Sequence, residues 1–326
     1  MTRVYPAWGK PVLLVLLGVG LLSVNCICPW PLNPRTLAPV VHRETTPPPL
    51  RGKIIYQTDL HGPPELYLVD LRTRESRRLT DNGASDTLPT YIAATAEIAF
   101  LSDRDGYWKI LIMNLESEQT ASLALQNPEV WIDTPSWSPD GKRIAASVAE
   151  WKMCDSPQNC RYDLYLIEAE TGAMTNLTHT PGASEWTPEW SPDGQRLAFA
   201  SDRDGDSEIF IMDWGTRQTR QFTHNQCYDG RPRWSPDGKW ILYETDCEGG
   251  DWDLYLMDAD GRNPRPVTVN ATQDYAPAWS PDGHWIAYAG NADGDYEIYT
   301  ITPEGKHLQR ITWNACCDDT YPIWIP

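Results

Sequence analysis

Basic residues are scarce in this chain. Its 27 Lys and Arg face 45 Asp and Glu, for a net charge of −18. Phosphate backbones are bound through clustered Lys and Arg, so this balance excludes a nucleic-acid partner and disfavours docking on anionic lipid. Phenylalanine occurs only 4 times, against 16 tryptophans, and histidine only 6 times. No Gly-x-Ser-x-Gly occurs anywhere, which leaves out the nucleophile elbow of α/β-hydrolases.

What is abundant is punctuation: 28 prolines and 22 glycines in 326 residues. Many short strands between Pro/Gly turns point to a sandwich, barrel or propeller. The decisive stretch is Trp-Ser-Pro-Asp-Gly, found at Trp137–Gly141, Trp190–Gly194, Trp234–Gly238 and Trp279–Gly283, each with proline two residues earlier. Ser, Pro, Asp and Gly suit the successive positions of a type I turn that ends on a left-handed glycine. Apolar, strand-like stretches follow, so each copy predicts a hairpin corner.

The copies belong to a longer repeat. Tyr91 and Trp324 occupy the tryptophan slot of two degenerate copies, giving slots at 91, 137, 190, 234, 279 and 324 with spacings of 46, 53, 44, 45 and 45. Periods near 45 with four strands each predict propeller blades. The long spacing comes from an insertion of eight around Cys154–Cys160. The first unit, from Lys53, lacks an innermost strand, and Asp319–Pro326 is an innermost strand without a blade. Together they predict an all-β ring of six four-stranded antiparallel blades, the first completed by the C-terminal strand, with no edge left unpaired.

Residues 1–28 read as a signal peptide or an N-terminal membrane anchor. Arg3 and Lys10 precede the apolar run Val12–Val24, then Cys26 and Cys28. A lipoprotein would use Cys26, although Ser23 and Asn25 depart from the usual lipidation motif. Residues 29–50 hold seven prolines and read as an extended linker, leaving 51–326 for the propeller.

The repeat, with loops such as Ser201-Asp202-Arg203-Asp204-Gly205 and Ser102-Asp103-Arg104-Asp105-Gly106, resembles the WD-like repeat of the TolB-type six-bladed propellers. That family carries an α/β domain before the propeller, which this chain is expected to lack. The resemblance implies the fold more sharply than a role, because function lives in sites. Similar propellers also cap prolyl-oligopeptidase-type hydrolases and form a pectin-fragment lyase that holds a metal through histidines.

In such a ring the Ser-Pro-Asp-Gly turns lie on one face, and the loops between second and third strands lie on the other, upper face. Cys154, Cys160, Cys227, Cys247, Cys316 and Cys317 all fall in upper loops, and an even number in an exported chain favours disulfides. Cys154–Cys160 would close the insertion, Cys227–Cys247 would staple the fifth blade, and Cys316 and Cys317 remain as an adjacent pair. Zinc bound through these cysteines is the rival reading. Asp202, Asp204, Asp206 and Glu208 alternate, as do Asp293, Asp295 and Glu297. They lack the twelve-residue calcium frame, and turn chemistry explains them as well as Ca²⁺ does. His179 and His224 share a register position, with no third histidine beside them.

Five carboxylates stand three residues before the slot prolines: Asp86, Glu185, Asp229, Asp274 and Asp319. Blade three breaks the register, with Ile132 there and Asp133 next. Trp131, Trp186, Tyr228, Tyr275 and Tyr321 sit beside them. An aspartate at a strand entrance also caps backbone N–H groups, and that alone accounts for any single member. As a set they predict a binding mouth. The expectation is an exported, monomeric, non-catalytic module without a cofactor, tethered through its N-terminal segment in the periplasm or at the cell surface. Its ligand would be a basic or extended protein or peptide. The rival is a metal-dependent lyase or hydrolase acting on a polysaccharide or peptide fragment in the mouth.

Overall fold

The structure, a computed structural model, describes residues 47–150, 160–247, 249–314 and 316–326. Expectations for the targeting segment, for linker residues 29–46 and for Cys154 fall outside the described residues. Within them, six antiparallel four-stranded sheets form, each ordered from an inner to an outer strand. The inner strands of blades two to six are Asp86–Ile92, Val130–Trp137, Glu185–Trp190, Asp229–Trp234 and Asp274–Trp279. Blade one takes Asp319–Ile325 as its inner strand, pairing Ile325 with Lys53, Trp324 with Ile54 and Asp319 with Thr58. The ring closes as the repeat predicts.

The pentapeptides fold as anticipated, for reasons visible at each atom. Gly141 N donates to Ser138 O at 2.9 Å, with Gly141 at φ 68°. The Ser138 hydroxyl donates to Asp140 at 2.6 Å and accepts from Arg143 N at 3.0 Å. The same bonds recur at Ser191, Ser235 and Ser280. The Ser138 and Ser191 hydroxyls hold Asp140 and Asp193 below the usual carboxylate range, and Lys239 with Ser235 brings Asp237 down to about 2.

Between neighbouring blades lies one apolar layer. Ile54, Tyr56, Trp285, Ala287, Ile298 and Trp324 join blades six and one, and Leu50 packs against them. Alternation explains this, because each sheet is covered on both faces and its second strand is apolar on both, as in Ile98–Leu101 and Leu197–Ala200.

Cys227 and Cys247 form a disulfide with Cα atoms 5.2 Å apart, joining the loops before and after the first two strands of blade five. Replacing both with serine should cost about 3 kcal/mol, given the separation of 20 residues. Denaturant unfolding checks this, and an unchanged midpoint would remove the staple from the account. Cys160 is buried and disulfide-bonded. Cys316 and Cys317 depart from expectation, because both carry thiols. Consecutive Cα atoms lie about 3.8 Å apart across a trans peptide, short of the roughly 4.4–6.8 Å a disulfide usually spans.

Candidate functional site

Each inner strand carries a β-bulge. Pairing registers shift between Thr87 and Thr90, Asp133 and Ser136, Trp186 and Glu189, Gly230 and Arg233, and Tyr275 and Ala278. The bulged residue always precedes the slot proline, which has no N–H to give the ladder. Leu88, Thr134, Thr187, Arg231, Ala276 and Tyr321 therefore take φ between 45° and 52°, a left-handed conformation that costs a non-glycine residue energy and is strained before proline. Six such residues around one axis are a device for aiming side chains and amides inward.

Their contacts link blades around the channel, and one of them, Arg231 to Tyr321, reaches past a neighbouring blade. Arg231 of blade five donates to the Tyr321 hydroxyl of blade one at 3.0 Å and lies 4.8 Å from its ring centre. Arg231 also pairs with Glu244 at 3.0 Å, and the other Glu244 oxygen accepts Ala276 N at 3.0 Å. Thr187 N donates to Thr134 Oγ1 at 3.2 Å, and Leu88 N to Gln57 Oε1 at 3.1 Å. One step deeper, Arg233 pairs with Glu189 at 2.8 Å, and Glu189 accepts from Ser136 at 3.2 Å. Burial raises the Asp133, Glu189 and Glu244 carboxyls, and the two arginines pull them back. Burial opposes the charge on Arg231, but Tyr321, Glu244, Tyr228 and Asp133 more than restore it.

Aromatic side chains ring this polar centre. Tyr228 packs on Trp252 at 4.6 Å, and its ring lies over Gly230, where a Cβ would come within 2.4 Å. Tyr275 meets Tyr296 at 4.9 Å and Tyr321 at 5.8 Å, both edge-on. Trp186 is half-buried and packs beside Cys160 and Tyr162.

The five expected carboxylates are placed differently. Asp86, Glu185, Asp229 and Asp319 are 0% exposed and Asp274 2%, so none faces the opening. They lie in the seams between blades. Their backbone N–H groups donate at 2.7 Å to Pro64, Tyr162, Ser207, Trp252 and Tyr296, each the residue just before a third-strand acid of the preceding blade. Glu65, Asp163, Glu208, Asp253 and Glu297 are those acids. Every such seam thus sets two carboxyls side by side. Thr178, Thr268 and Thr312 hydroxyls donate to one of the pair at 2.8, 3.2 and 2.6 Å. Amides of Asn82, Asn225, Asn270 and Asn314 donate to Asp86, Asp229, Asp274 and Asp319 at 2.6–2.7 Å. Arg104 and Arg203 reach Asp86 and Glu185 at 3.0 and 3.1 Å.

Such crowding has a chemical consequence. Burial pushes Asp274 up to about 7, with Asp253 beside it adding to the effect. Burial likewise raises Glu208, Asp229 and Asp319, whose neighbours are Asp229, Glu208 and Glu297. Glu208 Oε2, Asp229 Oδ1 and Asp319 Oδ1 are buried without a hydrogen-bond partner, as expected where a carboxyl pair shares one proton.

The acidic loops act as caps too. Asp103, Asp202 and Asp246 accept Ser85, Ser184 and Tyr228 N–H groups at 2.8, 2.7 and 2.8 Å. His179 and His224 are exposed, and among the described residues no group of three or more His, Cys, Asp or Glu is placed to hold a metal. Arg231, Glu244, Glu189 and Arg233 escaped the sequence reading, since only one blade carries each and no repeat marks them.

The sequence matches the TolB beta propeller domain family over residues 48–156 and 131–275. A TolB homolog from Chlorobium luteolum is 28% identical over 169 residues, which are 52% of this chain and 36% of that protein. The Tol-Pal system protein TolB of Francisella tularensis is 32% identical over 127 residues, 38% of this chain and 24% of that one. The match thus spans about a third or less of these relatives. Among solved structures, TolB from Acinetobacter baumannii has a TM-score of 0.72 at 20% identity, covering 84% of this chain and 66% of that one. Oligogalacturonate lyase from Vibrio parahaemolyticus has 0.57 at 16%, covering 79% and 74%. Both show the fold alone. On the family match, which extends over more than half its length, this chain belongs to the TolB beta propeller domain family.

Proposed function

We propose that this chain is an exported, non-catalytic binding propeller of the cell envelope, tethered through its N-terminal segment, that holds an extended protein segment at the upper mouth. The observation that carries this reading is the cross-channel cluster of Arg231, Glu244 and Tyr321, strained inward by bulges and ringed by Tyr228, Trp252, Tyr275 and Tyr296. Flat amphipathic rings around a desolvated arginine are the composition of a binding hot spot. Exposed Asp59, Asp105, Asp204, Asp293 and Asp318 on the surrounding loops favour a basic segment. The seam carboxylates contribute architecture instead of contact.

The test is capture of a partner from envelope extract. Tyr321→Ala should weaken capture about 30-fold, the effect of losing roughly 2 kcal/mol at a hot spot. Asp274→Asn, altered only in a buried seam, should capture normally. Added salt should release the partner. Capture unaffected by Tyr321→Ala would move the site elsewhere. Metal-dependent cleavage of an oligogalacturonate or a peptide would favour the enzymatic rival.

A further inference from the structure

The lower face repeats a groove between blades, and the repeat shows what fills it. In blades three and four the residue that opens the second strand is arginine. Arg143 lies 5.3 Å from the Trp190 ring of the next blade, and Arg196 lies 4.2 Å from that of Trp234. Each arginine covers the neighbouring slot tryptophan. In blades five and six the same position holds Trp240 and Trp285, and the Arg265 guanidinium of the blade-five outer strand lies 5.7 Å from the Trp240 ring centre.

Trp285 is 2% exposed because the chain itself covers it. Trp285 Nε1 donates to Pro48 O at 3.0 Å, and Leu50 packs against the same layer. An indole N–H donating to a proline carbonyl is one of the contacts by which tryptophans hold extended proline helices. The equivalent groove of blade five is open. It encloses 450 Å³ and is lined by Pro236, Trp240, Arg265, Trp279, Pro281 and Glu304. Trp240 is only half-buried. The groove runs on into a smaller one of 160 Å³ beside Trp285 and Trp324, since Pro281 and Asp282 line both.

We infer that the Trp240–Trp279 groove is a docking site for a proline-rich segment of a partner protein in extended polyproline conformation, continuing the strap at Pro47–Pro49. Trp240 takes the part that Trp285 plays toward Pro48. Asp282 and Glu304 on the groove wall, beside an Asp237 that Lys239 already pairs at 2.8 Å, call for basic residues flanking the prolines. The site lies on the face opposite the mouth and does not depend on it.

Titration with a short synthetic peptide, a Pro-Pro-Pro core between arginines, tests this by calorimetry and by the Trp240 indole resonance. The expected dissociation constant is in the range of about 10 μM to 1 mM. The same peptide with alanines for prolines should bind at least about ten-fold more weakly, because its extended form must be ordered on binding. Trp240→Arg, which reproduces the closed groove of blades three and four and so keeps the fold, should abolish binding. Tyr321→Ala should leave it unchanged. Equal binding of the alanine peptide, undiminished binding to Trp240→Arg, or no saturation up to about 1 mM would each overturn the inference.

Discussion

A chain shortened to end at Asp318 should lose its cooperative melt. Asp319–Ile325 supplies the whole inner ladder of blade one, so its removal exposes the edge of Lys53–Thr58. Trp324, 5% exposed with Nε1 donating to Arg51 O at 2.8 Å, leaves the layer between blades six and one. Ile325 leaves the next layer. A buried aromatic alone is worth about 3–5 kcal/mol, and total stability for a domain is about 5–15 kcal/mol. Tyr321 goes as well, stripping Arg231 of its hydroxyl acceptor in the channel. The milder Trp324→Ala should therefore lose about 3–5 kcal/mol in denaturant unfolding while remaining folded. A shortened protein that melts within a few degrees of the full chain would show that the ring closes by other contacts.

Blade number, closure and turn geometry were legible because each rests on a local rule repeated in register. Proline, aspartate and glycine at fixed offsets specify the turn wherever it occurs, as the four serine-centred networks show. The placement of the carboxylates was not legible, and the reason is the bulge. Simple alternation puts Asp86 on the same side as Thr90. The two-for-one pairing between Thr87 and Thr90 reverses that parity and puts Asp86 on the side of Tyr91, facing the seam. The prolines after Leu88, Thr134 and their equivalents were the available signal. Their meaning emerges only with the left-handed residue before them.

Blade three makes the same point from the other direction. Its inner strand breaks the acid register with Ile132, and the third strand of blade two opens with Lys109 where the other blades have an acid. Both halves of a pair about 23 residues apart change together, so the second acid is the partner of the first. The channel network had no such counterpart in sequence. Arg231 meets Tyr321 across 90 residues of chain, and no other blade repeats the pair.

The seams should also make the protein most stable in mild acid. Asp274 is raised to about 7, and Glu208, Asp229 and Asp319 are raised by the same burial. A carboxyl whose folded pKa exceeds its unfolded value of about 4 contributes stability that is complete below that value and lost as pH climbs through the folded pKa. The turn carboxylates of Asp140, Asp193 and Asp237 work in reverse, and their contribution fades only as pH falls below about 4. The optimum therefore lies near pH 4–5, and Tm should fall by roughly 5–10 °C between about pH 5 and pH 8, since 1 kcal/mol moves Tm by about 2–4 °C in domains near this size. Changing Asp229, Asp274 and Asp319 together to asparagine removes the charge from three seams and should raise Tm at pH 8 while flattening the slope. Asp274→Asn alone, which keeps an acceptor for the Asn270 amide, should flatten it in part. Calorimetric melts across that range decide the matter: a wild-type Tm that rises from pH 5 to pH 8, or asparagine variants that keep the full wild-type slope, would mean that the seam carboxyls are ionised pairs held by their threonine, asparagine and arginine donors, with no shared proton.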